Sequence, residues 1–394
     1  MGCNLSGYTN IASAFLMKSI HELEPNARLA YIMPLEFLNT GYGKIVKRQL
    51  VEKGLLKVII KLEHEKEVFP EATTTTGIIL LANDGEKGLV KFHIVNELTE
   101  LDSLLEQKPI KLMPLQELNP ADKWLKYFDS TVVQLDSLNL VTIGYYGGFS
   151  RGVATGANEF FVFSASKARE IGVPQSLLRP CITKSAQIKT KIFTNEDFQE
   201  LVKSDARVFV LNINGKIPPP VEQYIQYGEE KGYHQRYLTM VRNPWYRLEH
   251  RVPAPLLFGV FSRDGFKVIR NYSDAINLTC YHGFYPNLFG QQFVDRLFLY
   301  FQSRTARAIL RLSMRQYGDN LDKFEPNDLN GAFAPSPDYL AAISLEMVNE
   351  SMERCAKGLP LAVEVEQMFE ALIENAQLKA IANNLCAVTA HSST

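Results

Sequence analysis

The sequence predicts an α/β protein: a partial open sheet with crossover helices, then a mixed α+β region, then C-terminal helices. Three observations predict it. Between Ile11 and Leu81 helical and strand periodicities alternate. From Val141 to about Asp328 the texture changes to short strands and turns rich in Gly, Asn, Tyr and Phe. Residues 338–384 return to helical spacing.

Each element has its own reason. Ile11, Phe15, Ile20 and Leu23 share a helical surface that stops before Glu24-Pro25-Asn26. Leu29 to Met33 is a short apolar run ended by Pro34, as expected of a strand covered on both faces. Gly43 to Lys53 is amphipathic and basic, and Gly54 closes it. Leu55–Leu62 and Thr75–Leu81 are strands rich in β-branched residues, and Val90–Val95 reads as an edge strand. The organisation that follows is a sheet domain over 1–98, a polar connector over 99–140, a second domain over 141–330 and a helical segment over 331–394. The sheet begins within ten residues of Met1, with no room for the strands from which such a sheet ordinarily starts. It therefore reads as the second half of a domain.

Composition narrows the function classes. With 394 residues, 46% hydrophobic and 22% charged, the chain matches ordinary soluble proteins. No apolar run reaches the roughly 18 residues that span a bilayer, and no secretion signal opens the chain. Five scattered cysteines without a CxxC pair point to a reducing cytoplasm, and seven histidines show no ligand spacing, so no metal is expected. The net charge of −1 hides an asymmetry. Residues 151–316 hold 23 Lys and Arg against 13 Asp and Glu, a balance of +10, which leaves −11 elsewhere. A basic middle on an acidic frame is the footprint of a polyanion binder, although a solvated basic face gives the same count.

Three segments carry a family resemblance: NIASAFLMKSIHEL, then ARLAYIMPLEFLNTGYGKIVKRQLVEKG, then EVFPEATTTTGIILL. In this order and spacing they resemble the part of TaqI-like, gamma-class adenine-N6 DNA methyltransferases that follows the catalytic Asn-Pro-Pro-Tyr loop. RGVATGANEFFVF and RNPWYRLEHR resemble segments of the same family's target-recognition region. The resemblance implies a partial Rossmann-like methyltransferase sheet followed by a mixed α+β target-recognition domain. It also implies a role in a restriction-modification system acting on double-stranded DNA. Methylating a duplex adenine requires extruding the base and presenting its amino nitrogen to a sulfonium methyl. In the family a Gly-rich turn holds S-adenosylmethionine, and the Asn-Pro-Pro-Tyr loop positions the amino group. Neither is found upstream of residue 7. The chain is expected to bind S-adenosylmethionine only with that other half, which a second subunit carrying both motifs would supply; a truncated chain or gene remnant is the competing explanation.

Site residues carry over position by position. Phe69 matches the aromatic that the family stacks on the flipped adenine, with a core residue at a strand start as the bland alternative. Asn10 and Phe15 fall in the helix that borders the cofactor's adenine in the family, and Phe15 is equally suited to a core stripe. Pro34 reads as a strand boundary rather than a contact. In the basic region Arg151, Thr155, Gly156 and Asn158 form a small, polar turn suited to phosphate, as does the alternating Lys184, Lys189 and Lys191. Arg242, Arg247 and Arg251 surround Trp245 and Tyr246, a combination able to read or pack against bases. Arg304, Arg307, Arg311 and Arg315 stand at helical spacing, which suits a solvated helix slightly better than a phosphate-facing one.

Two motifs are weaker than they look. Asn243-Pro244-Trp245-Tyr246 has Trp where the catalytic tetrapeptide needs its second Pro, and reads as a structural or DNA-facing turn. Gly144-Tyr-Tyr-Gly147-Gly148 lacks the long helix that a nucleotide loop requires, and reads as a turn. The rival to a methyltransferase portion is a non-catalytic DNA-binding specificity protein with a degenerate methyltransferase domain. An unrelated nucleotide-binding enzyme would need a phosphate loop that is not visible.

Overall fold

Asn10 starts the first helix. Its carboxamide oxygen accepts a hydrogen bond from the Ser13 amide at 2.8 Å, satisfying one of the amides that a helix start leaves open. The helix, α1, runs Ile11–Glu22 in the computed structural model of the chain. That structure describes residues 10–63, 75–104, 106–128, 139–213, 215–262, 265–311, 315–317 and 321–373. The architecture is mixed α/β, as the sequence predicts, with several sheets and many helices. The chain divides into two units, residues 1–132 with 315–323 and residues 133–314 with 324–394.

The first unit is built on a five-stranded sheet. Its strands are β1 (Arg28–Pro34), β2 (Leu56–Leu62), β3 (Thr76–Ala82), β4 (Leu89–Val95) and β5 (Lys111–Pro114), in the order β1-β3-β2-β4-β5. β3 runs antiparallel between β1 and β2, with Ile79 opposite both Tyr31 and Ile59. β2 and β4 are parallel. Helix α2 (Gly43–Glu52) connects β1 to β2 through a short 3-10 turn and buries Val46 and Leu50, one helical turn apart. Gly54 ends this connection at φ 73°, the left-handed conformation that glycine adopts without a steric cost.

Three expectations need correction. Val90–Val95 is not an edge: β4 is interior, because Lys111–Pro114 from the stretch read as a connector pairs beside it. β1 is not covered on both faces. It lies at the sheet's border with β3 as its neighbour among the described residues, and burial alternates along it, so Met33 is buried while Ala30 and Ile32 are exposed. On α1 the buried stripe is Ser13, Leu16, Met17 and Ile20, which leaves Ile11 and Phe15 on the outside. An apolar run tells how many faces want cover, and the sheet order decides which receive it.

Lys47, read as part of a basic helix, is turned inward. Its ammonium donates to the Leu38 carbonyl at 2.8 Å and to the Asp122 carbonyl, and lies 5.5 Å from the centre of the Trp124 ring. Burial lowers its pKa from the ordinary 10.5 to about 8.

The second unit is organised by another five-stranded sheet, ordered Ile192–Phe193, Val268–Asn271, Leu256–Gly259, Tyr281–Pro286, Gly147–Arg151. Alternate side chains enter different cores. Leu256, Phe258 and Val268 join Phe284, Leu297 and Phe301 on one face, together with the helices Leu345–Ala356 and Val363–Glu370. Leu257 and Ile269 join Phe160, Phe163 and Val210 on the other, where a four-stranded sheet packs. The C-terminal helical stretch is interrupted by Gly358, at φ 73°, and Pro360, and its part beyond 373 lies outside the described residues. The arginine series is also corrected: Arg304–Arg311 is a helix buried on Thr305, Ala306, Ala308, Ile309 and Leu310, whereas Arg315 begins a strand paired with Leu321–Lys323. The Arg304 guanidinium lies 3.9 Å from the Glu370 carboxylate, and its amide donates to Glu366 at 2.8 Å.

Two outcomes follow for stability. Leu257→Ala, deleting a fully buried side chain, should cost about 2–5 kcal/mol in urea unfolding of the second unit. Between pH 8 and 10.5 the unfolded chain holds the Lys47 proton and the folded chain releases it, so this group makes the first unit more stable as pH rises through that window. Lys47→Met should abolish that rise in a melting-temperature series across pH; an unchanged rise would refute the assignment.

Candidate nucleic-acid interface

Arg151 ends strand Gly147–Arg151 with an exposed side chain, and the chain then turns through residues 152–157. The polarity of that turn is largely consumed within the protein. Thr155 is buried, its hydroxyl donates to Asn158 Oδ1, and the Ala157 amide donates to Thr155 Oγ1 at 3.2 Å. Gly156 sits at φ 79°, and a Cβ there would lie 2.8 Å from Leu238 Cβ, so this position needs glycine for both conformation and contact. Asn158 opens the short helix Asn158–Phe161 and gives its carbonyl to Arg207 Nη2 at 2.7 Å.

The two segments expected to touch DNA touch each other. Arg242 donates Nη1 to the Thr155 carbonyl at 2.7 Å and Nη2 to the Ala154 carbonyl at 2.5 Å. Burial pulls this guanidinium below its ordinary value. Arg236 pairs with Glu159 at 3.1 Å and reaches the Gly156 carbonyl at 3.4 Å. These two arginines bracket the short helix Tyr237–Met240, on which Thr239 is buried and donates to the Tyr233 and Arg236 carbonyls. On the other side of that helix Tyr237, Met240 and Val241 are 76%, 61% and 68% exposed. Sequence reasoning passed over this segment, because a Tyr, Met and Val at helical spacing normally signal a buried face.

The remaining positions divide between packing and exposure. Trp245 is half-buried: its ring centre is 4.8 Å from that of Phe160, and Nε1 donates to Glu229 at 3.0 Å. Tyr246 packs beside it, with ring centres 5.9 Å apart. Asn243–Tyr246 is thus a turn fastened onto the second core. Arg251 is paired with Glu249 at 3.1 Å. Arg247 is exposed and forms no ion pair among the described residues. Lys184 and Lys189 are exposed on either side of a 3-10 turn, Ser185–Gln187, that Lys267 supports by donating to the Ser185 and Ile188 carbonyls at 2.6 and 2.5 Å. Lys191 instead donates to the Leu359 carbonyl at 3.2 Å. Gly144 to Gly148 forms a 3-10 turn entering a strand, where a Cβ on Gly147 would lie 2.4 Å from the Tyr285 carbonyl oxygen.

In the first unit Pro34 closes β1 opposite Thr76, and the Leu35 amide donates to the Thr75 carbonyl at 2.7 Å. The carboxyl ends of β1 and β2 and the start of β3 therefore share one edge of the sheet. Phe69 belongs to the segment between β2 and β3 and lies outside the described residues. Asn10 spends its carboxamide on the helix cap, whereas the Phe15 ring is 56% exposed. As a fit for S-adenosylmethionine this is incomplete: an aromatic wall is present, with no glycine-rich turn and acidic residue beside it among the described residues. Among the described residues no group of three or more His, Cys, Asp or Glu could hold a metal ion, and no helix is long and apolar enough to cross a membrane. Burial pushes the Cys280 thiol up to about 12.

Comparison with known proteins gives this geometry its context. The family profile described as "Type II methyltransferase M.Eco57I, C-terminal domain" matches residues 122–365. The chain is 42% identical over 338 residues to the type II methyltransferase M.AccI of Acinetobacter calcoaceticus, covering 83% of this chain and 62% of that protein. It is 23% identical over 362 residues to the type II methyltransferase M.XamI of Xanthomonas campestris pv. amaranthicola, covering 86% and 64%. The chain thus spans less than two thirds of the length of these curated relatives. Among solved structures it shares its fold with the type IIL restriction-modification enzyme MmeI in complex with DNA, at a TM-score of 0.58 and 12% identity over 99% of this chain and 54% of that one. Because the profile takes in more than half of its residues, the chain belongs to the family of the type II methyltransferase M.Eco57I C-terminal domain.

Proposed function

We propose that this chain is the recognition-bearing portion of a site-specific DNA adenine-N6 methyltransferase of a restriction-modification system. It works with a second polypeptide or segment that carries the S-adenosylmethionine turn and the Asn-Pro-Pro-Tyr loop. The second unit binds duplex DNA, and Phe69 forms the wall on which the extruded adenine stacks. The observation that carries this reading is the border strand β1. It ends at Pro34, at the strand ends where ligands of open α/β sheets gather, and among the described residues it borders the sheet, with Ile32 55% exposed on the sheet's face. The exposed Ile11 and Phe15 on α1 add apolar surface of the same kind.

The chain's own residues divide the work. Arg151, Lys184, Lys189 and Arg247 are exposed cations on the second unit suited to phosphate, which fixes register on the duplex without reading sequence. The Arg242 and Arg236 clamps keep the turn at 154–159 and the segment at 237–241 in one geometry. The exposed Phe15 contributes a flat wall for the methyl donor's adenine, and Phe69, outside the described residues, is assigned by resemblance alone to hold the target base out of the stack. S-adenosylmethionine supplies the methyl group when bound.

Binding and transfer are separately measurable. Anisotropy titrations of a duplex across a salt series should give a steep log–log slope, reduced by about one for each of Lys184→Ala and Arg247→Ala. A flat slope would remove the DNA-binding reading. Mixed with a polypeptide that carries the donor turn and the Asn-Pro-Pro-Tyr loop, the chain should produce N6-methyladenine in digested DNA, and Phe69→Ala should lower kcat/KM by about 10- to 100-fold. A cytosine product would overturn the adenine assignment. Sequence-selective binding with no transfer by any such mixture would favour the specificity-protein reading.

A further inference from the structure

Lys184 and Lys189 flank a turn that is held from behind. Between them Ser185–Gln187 forms a single 3-10 turn. The Lys267 ammonium donates to the Ser185 carbonyl at 2.6 Å and to the Ile188 carbonyl at 2.5 Å. The Tyr281 hydroxyl donates to the same Ser185 carbonyl at 3.1 Å. Gln187 Oε1 accepts from the Thr183 and Lys184 amides at 2.8 and 3.0 Å, and Gln187 Nε2 donates to the Arg207 carbonyl at 3.4 Å. Segments distant in sequence thus fix both ends of the turn, while Lys184, Ala186 and Lys189 stay exposed.

A lysine in that supporting place costs desolvation. Lys267 is half-buried, and burial lowers its pKa. No carboxylate is among the charged groups that act on it, nor among those that act on Tyr281, Cys280 and Cys181. The side-chain cations that do act there are Lys267 and Arg207. The chain around the turn is equally one-sided: residues 171–195 hold Arg179, Lys184, Lys189 and Lys191, and no Asp or Glu. Lys191 is drawn to the Leu359 carbonyl, whereas Lys184 and Lys189 form no ion pair among the described residues. A neutral Gln or Asn could donate to the same two carbonyls without adding a third cation behind two exposed ones. The repulsion that the lysine adds in the free protein is relieved when an anion meets the turn.

We propose that Lys267 is a positioning residue for DNA binding: it holds the 184–189 turn in one geometry so that Lys184 and Lys189 meet backbone phosphates of the duplex, and it does not itself touch the nucleic acid. This rests on the DNA-binding reading of the second unit. Phosphate contacts set the register of a protein on a duplex. A lysine carried on a turn that is already ordered gives up less freedom on contact than one on a mobile loop.

The test is a double-mutant cycle on the full chain, read by anisotropy titrations of a duplex of about 30 base pairs across a salt series. In the wild-type background Lys184→Ala/Lys189→Ala should lower the log–log salt slope by about two and weaken low-salt binding about 10- to 100-fold. In the Lys267→Met background the same pair should weaken binding less than about threefold and leave the slope nearly unchanged, because the two lysines are no longer held in place. If Lys267→Met shows no cooperative melt, Tyr281→Phe takes its place. That variant removes a donor to the Ser185 carbonyl at unchanged charge and should shrink the effect of the pair about threefold. Effects that simply multiply in both backgrounds overturn the positioning role and leave the DNA-binding reading intact. So does a Lys184→Ala/Lys189→Ala pair without effect in the wild-type background. Failure of the wild type to bind at low salt, or a flat slope, removes the DNA-binding reading and this role with it.

Discussion

The second unit depends on one constraint: successive side chains along Leu256–Gly259 must satisfy two separate cores. Leu256 and Phe258 face the helical core, and Leu257 faces the sheet core. A strand has a period of two, so a register slip of one residue would exchange the sets and leave both cores mismatched. Pairing to Val268–Asn271 and Tyr281–Pro286 on either side holds the register. The turns carrying the candidate DNA-facing residues are mounted on this double core: Arg151 ends one strand of the sheet, and Trp245 is fastened over Phe160.

The first unit has the complementary character. Its antiparallel β3 ties β1 and β2 together, and Trp124 and Phe128 from a later stretch close the core. Among the described residues β1 borders the sheet, and the exposed Phe15 and Ile32 leave apolar surface that hydrophobic burial would stabilise at about 25 cal/mol per Å².

The candidate site was only partly legible. Arg151, Lys184, Lys189 and Arg247 read as facing phosphate or bases, and their side chains are exposed. Thr155, Arg242 and Trp245 read as nucleic-acid contacts because small, basic and aromatic residues suit that role. In the fold the same chemistry serves to satisfy carbonyls and fill a core. A guanidinium binds a carbonyl or a phosphate with the same donors, and only the neighbours decide which. The exposed Tyr237, Met240 and Val241 were illegible for the converse reason, since periodicity reports a face without saying whether it turns inward.

By itself the sequence determined the α/β class, the order of the first unit's helices and strands as far as β4, the change of texture near residue 141 and the basic middle. Those properties are local or additive, set by periodicity, turn residues and charge. The tertiary structure decided that β4 is interior and β1 a border, that Lys47 is buried, and that the turn at 154–159 and the segment at 236–242 clasp each other. Each of these depends on which distant segment arrives as a neighbour, and the free energy of burying or pairing a side chain is defined only once that neighbour is present.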